Sequence, residues 1–418
     1  MNALSVADAA RRIVGAVAPL DDERVPLRES AGRVLARDVV SPVSLPPWDN
    51  SSMDGYAVRA DDVRGATVDA PVTLAVLGTI AAGGRAEGPV REGQCYRIMT
   101  GAPVPTGADC VVRVEDTDAG VERVRIRDDR DAGRNVRPRG EDLAQGGVAL
   151  TRGTRIAAAH IGVLASVGCA DVPVTRRPRV GILTTGDELV DVSGFDRVLA
   201  GERIVNSNAY TLEALVRDTG GEPVPLGLVR DDPHAISTTL EAAPPLDLLL
   251  TSGGISVGEF DHTRRVLASL GAELDFWRVR IRPGAPLGFG TWRQRPWIGL
   301  PGNPVSSMVT FELFVRPALR RMLGMPRVFA RTVPVRAAEA IVTGAPLTHF
   351  MRAIVSENSA GVLEARLTGP QGSGLLTSMA LANALVVIPP EQSQIFVGQE
   401  VGALLLGSES LLGDAPIG

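Results

Sequence analysis

A chain of 418 residues, 44% hydrophobic with mixed charge, exceeds what one hydrophobic core usually supports and reads as a soluble, globular protein of two to four domains. A net charge of −5 with no long single-sign run excludes an electrostatic footprint for nucleic acid or an anionic membrane. All 43 basic residues are arginine, which excludes Schiff-base chemistry and a Walker A phosphate loop, because both need a lysine ε-amino group.

Three cysteines, Cys95, Cys110 and Cys169, are odd in number and lack metal-ligand spacing, so a reducing, cytoplasmic setting without structural zinc is expected. Arg11–Arg12 precedes too short an apolar run for a twin-arginine signal, and the segment reads as a surface helix. No stretch approaches the roughly 18 apolar residues of a membrane span.

In chain order, Ser5 and Asp8 resemble a capping box, and Val6, Ala9, Ala10, Ile13, Val14 and Val17 follow at helical spacing to about Ala18, before Pro19. Pro42, Pro46 and Pro47 lead into a stretch of short apolar runs punctuated by Gly and Pro (Val72–Leu77, Cys95–Met99, Cys110–Glu115, Val121–Arg127), the pattern of a small all-β domain over 49–137. Helix returns at Ala157–Val167 with Gly168 as C′ residue, and segments 1–48 and 138–172 are expected to form one linker and dimerisation domain around the insert.

From 173 to 325 strands and helices alternate: Val180–Thr184, Ala209–Thr219, Pro223–Leu228, Pro233–Ala242, Asp247–Leu250, Asp261–Leu270 and Val305–Leu323. This predicts a parallel sheet between two helical layers, with its crevice at the carboxyl ends of the strands. Short apolar runs from 326 to 418 predict a closing β domain of barrel-like form. The fold class is therefore multidomain α/β and β.

The apolar strand Asp247–Leu250 runs into Thr251–Asp261, TSGGISVGEFD, whose glycines would let backbone N–H groups approach a phosphate. A tight turn accounts for the same glycines equally well. Gly254-Ile-Ser256-Val-Gly258 matches a nucleophile elbow, but an elbow serine stands immediately after its strand, whereas Ser252, Gly253 and Gly254 intervene here, and neither His262 nor His349 is placed as its base. Two other strand ends deliver Thr185–Glu188 and Arg230–Asp232 to the same sheet edge, so Glu188, Asp231 and Asp261 could converge as oxygen ligands for Mg²⁺ beside a phosphate. Each acid alone reads as a solvated turn or cap residue.

Over Trp277–Arg282 the alternation puts Arg278, Arg280 and Arg282 on one face, either an oxyanion-binding row or a solvated sheet face. Gly299–Pro304 and Ser306 open a helix as a second anion site or a rigid cap.

Taken together, PWDNSSMDGYAVR (Pro47–Arg59), RIMTGAPVP (Arg97–Pro105), RGED (Arg139–Asp142), TTGDEL (Thr184–Leu189), RDDP (Arg230–Pro233), the Thr251–Asp261 segment and GLPGNPVS (Gly299–Ser306) resemble the molybdopterin molybdenumtransferase family, which includes the gephyrin E domain. The resemblance implies a homodimer of four-domain subunits that inserts molybdate into adenylylated molybdopterin and releases AMP with Mg²⁺ as cofactor, supplied by an upstream molybdopterin adenylyltransferase. It further implies Glu188 and Asp261 as metal-binding acids with Asp231 nearby, and Asp54, Thr100 and Asp142 as functional residues supplied across the dimer. Ser252, Gly253, Gly254, Arg278, Pro301, Gly302, Asn303 and Pro304 would hold substrate, and Arg282, Ser306, Arg352 and Ser373 molybdate. Where the family typically reads KPGKP, this chain has Arg282-Pro-Gly-Ala285-Pro, so either a neighbour such as Arg280 compensates or molybdate affinity is weaker. The departure at Ala285 also keeps open a binding or scaffold paralogue without turnover.

Overall fold

The first helix, α1 (Val6–Gly15), starts where Ser5 accepts a hydrogen bond from Asp8 N at 3.1 Å. It ends three residues before the sequence-based boundary, and its buried face of Ala9, Ala10 and Ile13 explains why it forms: the apolar stripe has a partner surface. The computed structural model describes residues 3–253, 262–344 and 346–407, and the chain divides into two units. The larger comprises Met1–Glu23, Gly32–Ala36 and Pro173–Gly418, and the smaller Arg24–Ala31 and Arg37–Val172. By its contacts α1 falls in the larger unit, whereas 138–172 falls in the smaller. The α1 stripe packs into the core of the larger unit together with Val180, Ile182 and Leu212.

The larger unit is built on six strands: β1 (Arg179–Thr185), β2 (Glu222–Val229), β3 (Leu248–Ser252), β4 (Glu273–Arg278), β5 (Pro286–Trp292) and β6 (Arg295–Leu300), in the spatial order β2-β1-β3-β6-β5-β4. The first four in that order run parallel. The last two are antiparallel, so the sheet is mixed rather than wholly parallel. The cause is a hairpin after β5, where Arg293 and Gln294 both take positive φ, 48° and 60°. That is the primed two-residue turn matching strand twist, made without the Asn-Gly or Asp-Gly pair that would advertise it.

Alternation along the strands feeds two helical layers. Val180, Ile182, Leu248, Leu250, Ile298 and Leu300 enter one core with α1, α2 (Ser207–Thr219) and the helical run beginning at Pro304. Leu183, Leu249 and Trp297 enter the other with α3 (Pro233–Glu241) and α4 (His262–Ser269). The three-layer expectation holds. The run predicted as one helix over Val305–Leu323 is α5 (Pro304–Thr310), a widened π turn at Phe311–Val315, and α6 (Arg316–Met322).

Five strands close a barrel in the C-terminal region: Thr332–Ala337, Thr348–Glu357, Leu363–Leu367, Ala384–Ile388 and Glu400–Leu405, with Thr348–Glu357 pairing Ala384–Ile388 to shut the ring. Ile281–Arg282 adds to the barrel beside Thr348–His349.

In the smaller unit, a five-stranded sheet runs in the order Cys110–Arg113, Gly55–Val58, Gln94–Ile98, Val72–Ile80, Arg123–Ile126. Tyr56 and Val58 go to one core and Ala57 to the other, as period-two alternation requires. Gly168, predicted as a C′ residue, follows the Ala158–Ser166 helix with φ of 72°. Burial pushes the Cys95 and Cys110 thiols up to about 12 and about 11, which leaves them inert. Among the described residues no helix is long and apolar enough to cross a membrane.

Candidate functional site

The parallel order of β2, β1 and β3 brings Asp231, Thr184–Thr185 and Ser252 to one sheet edge. A cavity of about 550 Å³ opens there, with Glu188, Asp231, Ser252, Gly253, Gly302 and Asn303 in its wall. Pro301, Pro304 and Ser306 complete the side given by the loop after β6. Gly254 and Asp261, like Ser256, lie outside the described residues.

Close approach shapes this edge. Gly253 has φ of 91°, and a Cβ there would stand 2.4 Å from the Thr185 carbonyl oxygen, so only glycine fits. The backbone N–H groups of Gly253, Gly302 and Asn303 have no hydrogen-bond partner among the described residues. They are donors available to an anion.

On the acidic side, Asp231 has a buried Oδ1 with no hydrogen-bond partner, and Thr185 Oγ1 is buried in the same state. Burial first, opposed by the neighbouring Thr185 hydroxyl, and then the charges of Glu188 and Asp187 hold the Asp231 carboxyl above its usual range. Asp187 is turned to the Arg230 guanidinium at 3.5 Å, which fits its reading as a solvated turn acid. Two carboxylates and hydroxyl oxygens in one wall form a hard donor set suited to a cation.

Two asparagines in the Val205–Tyr210 segment went unnoticed in the sequence. Asn206 caps α2 and donates to Thr184 Oγ1 at 2.7 Å. Asn208 donates from Nδ2 to Ser252 Oγ at 2.8 Å and to the Gly302 carbonyl at 2.7 Å. Their only signal was a cap-like NSN before a helix read as starting at Ala209.

A second cavity of about 430 Å³ lies against the barrel, with Arg282, His349, Arg352 and Gln371 in its wall. Arg352 is wholly buried. It donates to Ser378 Oγ at 2.9 Å and to the carbonyls of Gln371, Pro370 and Gly372 at 3.3, 3.0 and 3.1 Å. Burial depresses its basicity, yet an arginine keeps its charge, so the cavity carries positive potential. Ser373, just beyond, ties the barrel to the first cavity: its Oγ accepts from Asn303 at 3.0 Å and its carbonyl from Val305 N at 3.1 Å.

The arginine row divides. Trp277 is half-buried, Val279 and Ile281 are buried, and the three arginines are exposed, as the alternation predicts. Only Arg282 reaches a cavity wall. Arg278 lines neither cavity, and Arg280 donates to the Pro346 carbonyl at 3.2 Å. Ala285 is fixed through its carbonyl, which accepts from Val279 N at 3.1 Å.

In the smaller unit three motif segments meet. Asp54 Oδ1 accepts from both Thr100 N and Thr100 Oγ1 at 2.7 Å, and these bonds hold its carboxyl below the usual range. Asp49 Oδ1 accepts from Arg139 N at 2.6 Å, and Asp142 N donates to the Leu45 carbonyl at 3.0 Å. Asp54 and Thr100 are thus in direct contact, and the RGED loop is anchored on the residues just before them.

Comparison with known proteins covers nearly the whole chain. Family models match at residues 4–168 (MoeA N-terminal region, domain I and II), 181–321 (probable molybdopterin binding domain) and 334–406 (MoeA C-terminal region, domain IV). A Nostoc protein named molybdopterin molybdenumtransferase is 38% identical over 96% of this chain and 94% of its own length. Molybdopterin molybdenumtransferase 2 of Mycobacterium tuberculosis is 39% identical over 90% of this chain and 93% of its own. The crystal structure of a molybdopterin biosynthesis moeA protein from Pyrococcus horikoshii superposes with a TM-score of 0.85 at 30% identity, covering 97% of this chain and all of that one.

Proposed function

Because the chain belongs to the molybdopterin molybdenumtransferase family, transferases of molybdenum cofactor biosynthesis, we propose that it inserts molybdate into adenylylated molybdopterin with release of AMP. The observation that supports this most directly is one cavity holding two kinds of wall. Glu188 and Asp231 face it on one side, and the unpartnered N–H groups of Gly253, Gly302 and Asn303 on the other.

The acidic wall fits Mg²⁺. Asp231 Oδ1 is a buried oxygen without a donor, Glu188 stands in the same wall, and Mg²⁺ is held by one or two carboxylates with substrate phosphates completing its shell. Glu188 and Asp231, with Asp261 from the sequence reading, would hold it. When bound, the ion neutralises pyrophosphate charge and polarises the bond to be broken. The chain's own groups do the rest. Backbone N–H groups of Gly253, Gly302 and Asn303 hold phosphate oxygens, and Ser252, fixed by Asn208, keeps the loop in register.

For molybdate, the proposal places Arg282, Ser306 and Ser373 as oxyanion donors. Arg352 supplies charge while fixing the segment that carries Ser373. Asp54, Thr100 and Asp142 act from a second copy of the chain in a homodimer, in the cytoplasm, on substrate delivered by a molybdopterin adenylyltransferase. Arg278, in neither cavity wall but paired with Pro286 of the larger one, keeps only a peripheral electrostatic part.

The test is direct. Purified protein with adenylylated molybdopterin, Mg²⁺ and molybdate should release AMP and form cofactor, and omission of molybdate should suppress both. Absence of both products in the complete mixture would overturn the proposal. A binding or scaffold paralogue remains the second reading, motivated by Ala285, and it predicts tight substrate binding with no AMP. The hydrolase reading predicts serine-directed labelling at Ser256.

A further inference from the structure

Asn208 is 8% exposed, and its amide can face only one way. The Gly302 carbonyl accepts and never donates, so the atom 2.7 Å from it is the nitrogen, and the same nitrogen reaches Ser252 Oγ at 2.8 Å. Both amide protons are thereby used. Oδ1 is left buried without a partner, an arrangement that works against stability. The two groups held belong to different strand ends: Ser252 closes β3, and Gly302 follows β6. Ser252 Oγ also donates to the Pro301 carbonyl at 3.3 Å, and a Cβ on Gly302 would stand only 3.6 Å from Gly253 Cα. The two loops that carry the unpartnered N–H groups are therefore pinned at a fixed spacing by one side chain, in the wall of the same cavity.

We propose that Asn208 is a positioning residue that locks the Ser252–Gly253 and Gly302–Asn303 loops into a single two-phosphate cradle, selecting ligands with a pyrophosphate over those with one phosphate. This inference rests on the phosphate-binding reading of the cavity given above. Without the clamp each loop still meets one phosphate, but no longer at the separation that lets both loops act on the same ligand. The cost falls on the second phosphate alone.

Calorimetric titration of the full chain with inorganic phosphate and with pyrophosphate, Mg²⁺ present throughout, reads this out. Native protein should prefer pyrophosphate by about tenfold or more. Asn208→Ala should lose most of that preference, with phosphate affinity changed by less than about threefold and the melting temperature near the parent's, since an unsatisfied acceptor is removed along with the two bonds. Asn208→Asp, which sets a carboxylate against the Gly302 carbonyl, should lose the preference as well. Equal weakening of both ligands in the two variants would mark a merely structural asparagine and overturn the inference, as would an unchanged preference in either. Native protein that binds both ligands without preference would overturn it while leaving the phosphate site standing. Native protein that binds neither would overturn the phosphate-site reading itself, and this inference with it.

Discussion

Asp247 accepts both ends of the Arg176 guanidinium, each at 2.7 Å, and a third bond from Arg179 N at 2.8 Å. The pair sits just before β3 and β1, at the opposite ends of those strands from the cavity, and sets their relative register. Burial pushes the Asp247 carboxyl up, and the bonds from Arg176 and Arg179 outweigh it, so its pKa lies below the ordinary value. A depressed native pKa gives stability that is present above the unfolded value of about 3.9 and lost as pH falls through the native one. Asp247→Asn should therefore cost about 2 kcal/mol near neutral pH, a range typical of charge-assisted bonds when one partner is half-buried. Urea melts across pH should show the gap between parent and variant closing at acid pH.

Asp231→Asn should sever the effect of Mg²⁺ from the rest of the site. It keeps the shape but removes a carboxylate that burial and Glu188 already disfavour. AMP release should fall by about a hundredfold, within the range for losing a metal-binding group. The melting temperature without Mg²⁺ should rise, and the further rise that adding Mg²⁺ should give the parent should shrink in the variant. Calorimetric melts with and without the ion check both.

Gly253→Ala places a methyl group 2.4 Å from the Thr185 carbonyl on a residue with φ of 91°. The turn must move. A stability loss of about 1 to 2 kcal/mol is expected from the backbone conformation alone. Pyrophosphate affinity should fall by at least about tenfold because the loop N–H groups leave their positions. Denaturant melts and calorimetry separate the two effects.

Ala285→Lys tests the oxyanion cavity. Arg280 is engaged with the Pro346 carbonyl and stands in neither cavity wall, so it is not placed to substitute for the family lysine. The variant should raise AMP release at limiting molybdate by about three- to tenfold, the worth of one added charge in a partly solvated site. Titration of activity against molybdate measures it. No change would indicate that Arg282 and the buried Arg352 already saturate the need for charge.

Much of this site was legible as glycine and acid at strand ends, because parallel strands must deliver their carboxyl ends to one edge. Ser252, Gly253, Glu188 and Asp231 meet there for that reason alone. Asn208 was not legible, since an asparagine in the first turn of a helix reads as local capping and its partners lie 44 and 94 residues away. The mixed sheet was missed for a different cause: Arg293–Gln294 makes a primed turn without a turn-forming residue, and tertiary pairing of β5 with β6 overrode local preference. The place of α1 was hidden because amphipathicity shows that a stripe will be buried, not against what.

One stretch of backbone ties the two cavities together mechanically. The chain leaves the mixed sheet at Arg278, lends Ile281 and Arg282 to the barrel, and is back in the sheet by Pro286. Arg282 stands in the wall of the barrel-side cavity and Pro286 in that of the larger one, with only Pro283, Gly284 and Ala285 between them. The same short segment therefore carries a wall residue of each chamber, so the sheet and the barrel share one piece of backbone.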